Sequence, residues 1–302
     1  MKLKNKKLIL YLIIFSCIIT ATLAKNSAIQ VESATYAIHL EKNNDELLET
    51  VANIYSKNMI LVNLDNGKVI GEICGEDRIY PASLTKIMTT IVCLEQLADL
   101  SETITLEEGM FNELYEEGAS MAGFSPDDKV KAIDLLYGVM LSSGADAAVG
   151  LANKISGTEE DFVKLMNREA EKLGMENTHF VNCTGLHDDA HYSTLEDLVK
   201  LLQYALKNDI FREIFTTKTH VTSGGLTLTS TMFEKLEVWQ MNNEYILGGK
   251  TGYTGEAGLC LASIAKINGN HYLLITANAK GSSNTEPYHI QDAISIFNSI
   301  EE

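Results

Sequence analysis

Proline is scarce in this chain, with three in 302 residues beside 21 glycines. Such a composition, with 45% hydrophobic residues, excludes a disordered or low-complexity chain and supplies material for a real core. Basic charge is also short: 24 lysines and arginines face 41 acidic residues, a formal charge of −17. Nothing in that balance would replace the counterions on a polyanion, which excludes phosphate-tracking nucleic-acid binding. It also disfavours electrostatic docking on anionic lipid. No C-x-x-C pair occurs among the five cysteines. Cys74, Cys93, Cys183 and Cys260 allow three disulfide pairings, yet their wide spacing and apolar neighbours read as free thiols. No internal repeat and no second hydrophobic block large enough for another domain is present.

The basic residues that exist cluster at the start. Lys2, Lys4, Lys6 and Lys7 precede an apolar run over residues 8–19 and small residues up to Ala24. That is the pattern of a secretory signal peptide. The apolar run is short of the roughly 20 residues a membrane span needs. Residues 1–24 therefore read as a cleaved signal, with an uncleaved N-terminal anchor or lipidation at Cys17 as alternatives. Each reading exports the bulk of the protein to the outer face of the cytoplasmic membrane or the cell wall. Membrane contact is expected only through this segment.

Residues 25–56 read as a polar leader, partly helical over 43–54, ahead of a folded domain at 57–302. Asp65-Asn66-Gly67 between two apolar runs predicts a hairpin, because Asn-Gly tolerates the positive φ of a tight turn. Periodicity predicts a helix over 83–98. Residues 109–130 read as a loop, followed by helices at 131–141, 146–155 and 159–173. Residues 174–193 look irregular, and Thr194 caps a helix at 195–206. Strands are predicted at 226–230, 247–253, 259–267 and 271–279, then a closing helix at 290–300. Strands at both ends and helices between them predict an α+β fold with one antiparallel sheet, helices on its faces and an inserted helical region.

Three short motifs could carry chemistry. In Ser83-Leu84-Thr85-Lys86 the serine and lysine share a helix face. Ser83 would sit at the helix start, where backbone N–H groups favour developing negative charge. Lys86 could accept the serine proton if burial or a second cation lowers its pKa. Alone the pattern is weak, and Ser263-Ile264-Ala265-Lys266 repeats it in a predicted strand. Lys250-Thr251-Gly252 lies on another predicted strand. Gly249 and Gly252 would let a substrate backbone approach, Lys250 would supply the second cation, and the Thr251 hydroxyl could hold a carboxylate. Ser142-Ser143-Gly144-Ala145-Asp146 joins two helices; Ser143 could relay a proton or simply cap a helix. His187-Asp188-Asp189-Ala190-His191 has no identifiable third ligand and reads as a solvated loop, not a metal site.

Taken together, the motifs match the S-x-x-K, S-D-N and K-T-G set of penicillin-binding proteins and class A β-lactamases, with the middle one partial. Tyr80-Pro81-Ala82-Ser83-Leu84-Thr85-Lys86, Asp134-Leu135-Leu136-Tyr137-Gly138, Leu173-Gly174-Met175-Glu176-Asn177-Thr178-His179-Phe180 and Gly249-Lys250-Thr251-Gly252-Tyr253-Thr254 extend the likeness. The chain resembles the D-alanyl-D-alanine carboxypeptidases among low-molecular-mass penicillin-binding proteins. The resemblance implies a β-lactamase/transpeptidase-like fold and a serine peptidase without cofactor or metal. It also implies that substrates are peptidoglycan stem peptides ending in D-Ala-D-Ala, and that β-lactams acylate the same serine. By that likeness Ser83 is the nucleophile and Lys86 its base. Ser143 and Lys250 pass a proton to the departing D-Ala. Backbone N–H groups of Ser83 and Tyr253 form the oxyanion hole, and Lys250, Thr251, Gly252 and Tyr253 line the substrate.

Departures from the family pattern stand beside the likeness. Ala145 replaces the usual asparagine of the middle motif. No arginine follows Arg212, so a terminal carboxylate would fall to Thr251, Lys250 or Lys280. Ser282-Ser283-Asn284 comes after the Lys-Thr-Gly strand and is out of order for the middle motif. A β-rich second domain and C-terminal anchor, common in the family, find no room before Glu302, so any tether is expected at the N-terminus. Residues 177–188 lack the glutamate a class A β-lactamase would use to deacylate. Ala145 keeps a non-catalytic muropeptide- or penicillin-binding module as the alternative, and endopeptidase action remains open.

Overall fold

The computed structural model describes residues 38–40, 45–241 and 244–300; the signal read at 1–24 lies outside them. The chain enters through β1 (Ile38–Leu40) and α1 (Asp45–Val51). The predicted hairpin follows as β2 (Asn58–Asn63) and β3 (Lys68–Ile73). At its turn Gly67 has φ +72°, and the Asn63 side chain accepts the Asp65 and Asn66 N–H groups. A 3₁₀ turn, Ala82–Leu84, leads into α2 (Thr85–Gln96).

The inserted region starts with β4 (Thr103–Thr105), α3 (Glu108–Glu116) and β5 (Lys129–Lys131). It continues as α4 (Ala132–Met140), α5 (Ala145–Ser156), α6 (Glu159–Lys172), α7 (Leu195–Ala205) and α8 (Asp209–Thr216). A small hairpin, β6 (Thr219–Val221) and β7 (Thr227–Thr229), precedes α9 (Thr231–Val238). The chain then returns to the sheet as β8 (Ile246–Thr254), β9 (Gly258–Ile267) and β10 (Asn270–Ala279), and closes with α10 (Tyr288–Asn298).

The sheet is antiparallel throughout, in the order β1-β3-β2-β10-β9-β8. The two ends of the chain meet where β2 pairs with β10. Side-chain alternation divides the core in two. Ile60, Val62, Leu273 and Ile275 face the inserted helices. Met59, Leu61, Leu274 and Leu261 face α9 and α10. Both faces are covered, which is why β2 is buried along its whole length.

Three differences from the sequence reading have physical causes. Residues 109–130 are not all loop. Met110, Phe111 and Leu114 bury one stripe of α3, and packing overrides the acidic, glycine-bearing sequence. The helix read at 83–98 begins later, so Ser83 stands on the 3₁₀ turn ahead of α2. Residues 38–40 and 45–51, inside the segment read as a leader, fold onto the rest: β1 pairs with β3, and Leu47 and Val51 join the core under α10.

Candidate active site

The turn carrying Ser83 is strained and clamped. Ala82 has φ +47°, unusual for a residue with a Cβ, and the Leu84 N–H closes the turn on the Pro81 carbonyl at 3.0 Å. Two glycines pack closely against it. A Cβ at Gly252 of β8 would sit 3.2 Å from the Ser83 nitrogen. A Cβ at Gly185 would sit 2.0 Å from the Ala82 carbonyl oxygen, and Gly185 itself has φ +81°. Only glycine fits there. Gly185→Ala is expected to destabilise the protein by about 2 kcal/mol or more, read as a shift in the urea midpoint. A shift under 0.5 kcal/mol would show that the turn is not held from this side.

Lys86 lies one turn along α2 and is 2% exposed. Its amine is 3.4 Å from the Ser83 hydroxyl oxygen and donates to the Thr184 carbonyl at 2.5 Å. Burial disfavours the ammonium and pulls its pKa down to about 8, against smaller opposing pulls from Cys183, Asp146 and Glu159. Lys250, on β8, is fully buried. Its amine donates to the Ser143 hydroxyl at 2.8 Å and to the Thr251 carbonyl at 2.9 Å. Burial, with the nearby Lys86 adding to it, holds Lys250 well below the ordinary lysine range. Ser143 is itself buried in the left-handed region at φ +58°, a second strained residue at the same site.

Two loops fix these side chains. The Asn182 side-chain Oδ1 accepts from Thr184 N–H, the Thr184 hydroxyl and Gly185 N–H, which shapes the turn that presents Thr184 to Lys86. Glu159 takes the Cys183 N–H at 2.7 Å, and the Thr89 hydroxyl donates to the Cys183 carbonyl at 2.6 Å. His191 accepts from the Val181 N–H through Nδ1, so its Nε2 carries the proton and donates to the Thr85 hydroxyl at 2.8 Å. Burial lowers the His191 pKa to about 4, so the ring is neutral and fastens this loop to α2. Asp146 is fully buried and accepts the backbone N–H groups of Ala122, Gly123 and Phe124, ordering the loop beside Ser143. Ala145 is buried, and its N–H donates to the Ser120 carbonyl at 2.7 Å.

A cleft of about 610 Å³ opens over this cluster. Ser83, Ser143, Thr251, Gly252 and Tyr253 all line it, while Lys86 and Lys250 lie directly beneath. Sequence reasoning missed several lining residues: Glu117 and Ser120 before α4, Leu186 and His187 on the Thr184 loop, and Thr231, Lys235, Ser283 and His289 at the other end. Ser283, set aside as out of order in the sequence, stands in the cleft. Lys280, a sequence candidate for holding a carboxylate, is exposed and does not line it. The second S-x-x-K match dissolves as well. On β9 a spacing of three puts Ser263 and Lys266 on opposite faces, one fully buried and the other exposed.

A serine on a helix-leading turn, with one buried amine beside it and another across from it on a sheet edge, is the layout of a serine–lysine acyl-transfer site. Residues 46–281 match the family model of the D-alanyl-D-alanine carboxypeptidases, and the chain belongs to that family. It is 33% identical over 228 residues to the D-alanyl-D-alanine carboxypeptidase DacF of Bacillus subtilis, covering 70% of this chain and 54% of the relative. The chain thus spans about half the length of that relative. It is also 33% identical over 250 residues to the D-alanyl-D-alanine carboxypeptidase of Streptomyces strain K15, covering 78% and 84%. The crystal structure of the Streptomyces K15 DD-transpeptidase superposes with a TM-score of 0.72 at 31% identity, over 82% of this chain and 97% of that one. Penicillin binding protein 5 from Haemophilus influenzae superposes with a TM-score of 0.72 at 25% identity, over 82% and 70%.

Proposed function

We propose that the protein is an exported serine D-alanyl-D-alanine carboxypeptidase that trims peptidoglycan stem peptides and is acylated by β-lactams. The observation that carries this reading is the Lys86 amine, buried, lowered to about 8 and 3.4 Å from the Ser83 hydroxyl. The Ser83 oxygen attacks the carbonyl of the penultimate D-Ala while its proton passes to neutral Lys86. The N–H groups of Ser83 and Tyr253 stabilise the oxyanion, a large term in acyl transfer. The C–N bond then breaks as the leaving amine takes the proton from Lys86, relayed through the Ser143 hydroxyl that Lys250 holds, and Lys86 is neutral again. Water attacks the resulting ester, gives a proton to Lys86, and releases the shortened peptide and the free Ser83 hydroxyl. In a β-lactam the broken amide lies inside a ring, so the leaving nitrogen stays tethered and the ester persists.

The edge position of β8 supports this reading. Its partner β9 covers one side only, leaving the other to face the Ser83 turn and an extended peptide. Ala145 leaves Lys86 without the family's usual amide, and the Thr184 carbonyl at 2.5 Å holds the amine in its place. The catalytic domain in this reading takes in β1 and α1 along with residues 57–300, and residues 1–24 carry it out of the cytoplasm.

A pentapeptide ending in D-Ala-D-Ala tests the proposal. One equivalent of free D-Ala is expected per peptide. Below pH 8 Lys86 is an ammonium and cannot accept a proton, so kcat/KM should rise about tenfold per pH unit up to about 8 and then level. No D-Ala release, or a rate flat from pH 6 to 9, would overturn it.

A further inference from the structure

Ser143 sits in a backbone conformation that costs on the order of 1–3 kcal/mol for a residue with a Cβ, so neighbouring structure must hold it there. Lys250 grips its hydroxyl from β8 at 2.8 Å. On the backbone side the grip comes from Asp146. Gly144 and Ala145 carry no polar side chain, so Asp146 is the first residue after Ser143 able to anchor the turn by one. Its carboxylate is fully buried on the first turn of α5, and no ion pair among the described residues engages it. A buried charge without a cation needs hydrogen bonds. Asp146 has three, all from backbone. Oδ1 accepts the Ala122 N–H at 2.8 Å, and Oδ2 accepts the Gly123 and Phe124 N–H groups at 3.2 and 3.1 Å. The same segment bonds in the other direction, because the Ser120 carbonyl takes the Ala145 N–H at 2.7 Å. Gly144 is trapped beside this latch. Its N–H donates to the Gly138 carbonyl at 3.0 Å, and a Cβ on it would overlap the Ala122 Cβ and stand 2.6 Å from Asp146 Oδ1. Ser143 therefore precedes two residues that cannot shift unless the 120–124 segment leaves α5. Asp146 also acts through its charge. With Cys183 and Glu159 it opposes the burial that lowers Lys86, while Lys250 is the second amine at that site.

We propose that Asp146 is a positioning residue for the proton path: it latches the 120–124 segment onto α5 and so fixes the Ser143 hydroxyl where it hands a proton to the leaving nitrogen. This rests on the serine peptidase reading and deepens it. The need is specific to an amide. An amine does not leave as an anion, so its expulsion waits on the relayed proton, whereas a thiolate leaves without one. A misplaced Ser143 slows amide cleavage and spares a thioester.

The test compares Asp146→Asn with wild type on a D-Ala-D-Ala peptide and on its analogue with a thioester at the scissile bond. Asparagine has the same size but turns one carboxylate oxygen into an N–H donor facing N–H donors. On the peptide kcat/KM should fall about ten- to a hundredfold, and on the thioester less than about threefold. With the negative charge gone, the pH midpoint of thioester cleavage should fall below the wild-type value of about 8. Gly144→Ala separates position from charge. It wedges the segment off α5 with Asp146 intact, and should reproduce the peptide loss at an unmoved midpoint. It also carries the test if Asp146→Asn fails to fold. An equal loss on both substrates, or an undiminished peptide rate, overturns the proposal. Backbone hydrogen exchange at residues 122–124 reads the latch without turnover. Those amides should be protected in wild type and lose protection in Asp146→Asn, and unprotected wild-type amides would also overturn the proposal. Failure of the peptidase reading shows separately, as wild-type protein that cleaves neither substrate.

Discussion

Ser83→Ala protein is expected to release no D-Ala, to carry no penicillin, and to unfold at the wild-type urea midpoint. The rate loss should be about 10⁴-fold or more, because in the proposed mechanism the hydroxyl oxygen forms the covalent bond and a methyl group offers no substitute. The fold should not notice. Ser83 is only half-buried, and its hydroxyl takes part in one long contact, 3.4 Å from Lys86. The turn is held by backbone, through the Pro81 carbonyl, Gly252 and Gly185, none of which involves the side chain. Unfolded Ser83→Ala protein, or residual labelling at the wild-type rate, would each break the link between this turn and the chemistry.

Lys86→Met should cripple acylation and leave the protein more stable near neutral pH. Burial lowers the folded pKa of Lys86 to about 8, from an ordinary 10.5. Between those values the unfolded chain binds more protons than the folded one, so wild-type stability rises with pH through that window. Below pH 8 the full penalty applies, roughly 3 kcal/mol for a shift of this size. Methionine fills a similar volume without charge and loses one hydrogen bond to the Thr184 carbonyl, worth about 1–2 kcal/mol. The net expectation is a gain of about 1 kcal/mol at pH 7, with a shallower rise in stability from pH 8 to 10.5. Urea titrations across pH 6–10 read both. A less stable variant with an unchanged slope would show that Lys86 is not held against its own charge. Acylation by Lys86→Met should fall about 10²–10⁴-fold, the usual cost of removing a general base.

Much of this was legible in the sequence, for physical reasons. Ser83 and Lys86 share a face through the helical period, and the 3₁₀ start shifts the helix boundary without separating them. The hairpin at Asn66-Gly67 and the returning strands followed from turn chemistry and alternation, and the pairing of β2 with β10 realises a sheet built from both chain ends. Asp134 and Asn177, read only as part of a family likeness, turn out to brace the scaffold. Asp134 takes His220 and Ser223, and the Asn177 N–H goes to Asp197. The cleft's far end was not legible. Lys235, Ser283 and His289 lie on α9, the loop after β10, and α10, and only tertiary packing brings them together. Lys280 looked suitable by its place after the Lys-Thr-Gly strand, but it faces solvent. The role of the Thr184 carbonyl was hidden too, since a backbone acceptor leaves no mark on residue type.

The claim beneath all of this is that Ser83 is the acylated nucleophile. Incubating the protein with benzylpenicillin and mapping the adduct by peptide mass spectrometry tests it most directly. The serine–lysine mechanism predicts one penicilloyl ester per chain, on Ser83. No adduct, or an adduct on Ser143 or any other residue, would contradict it.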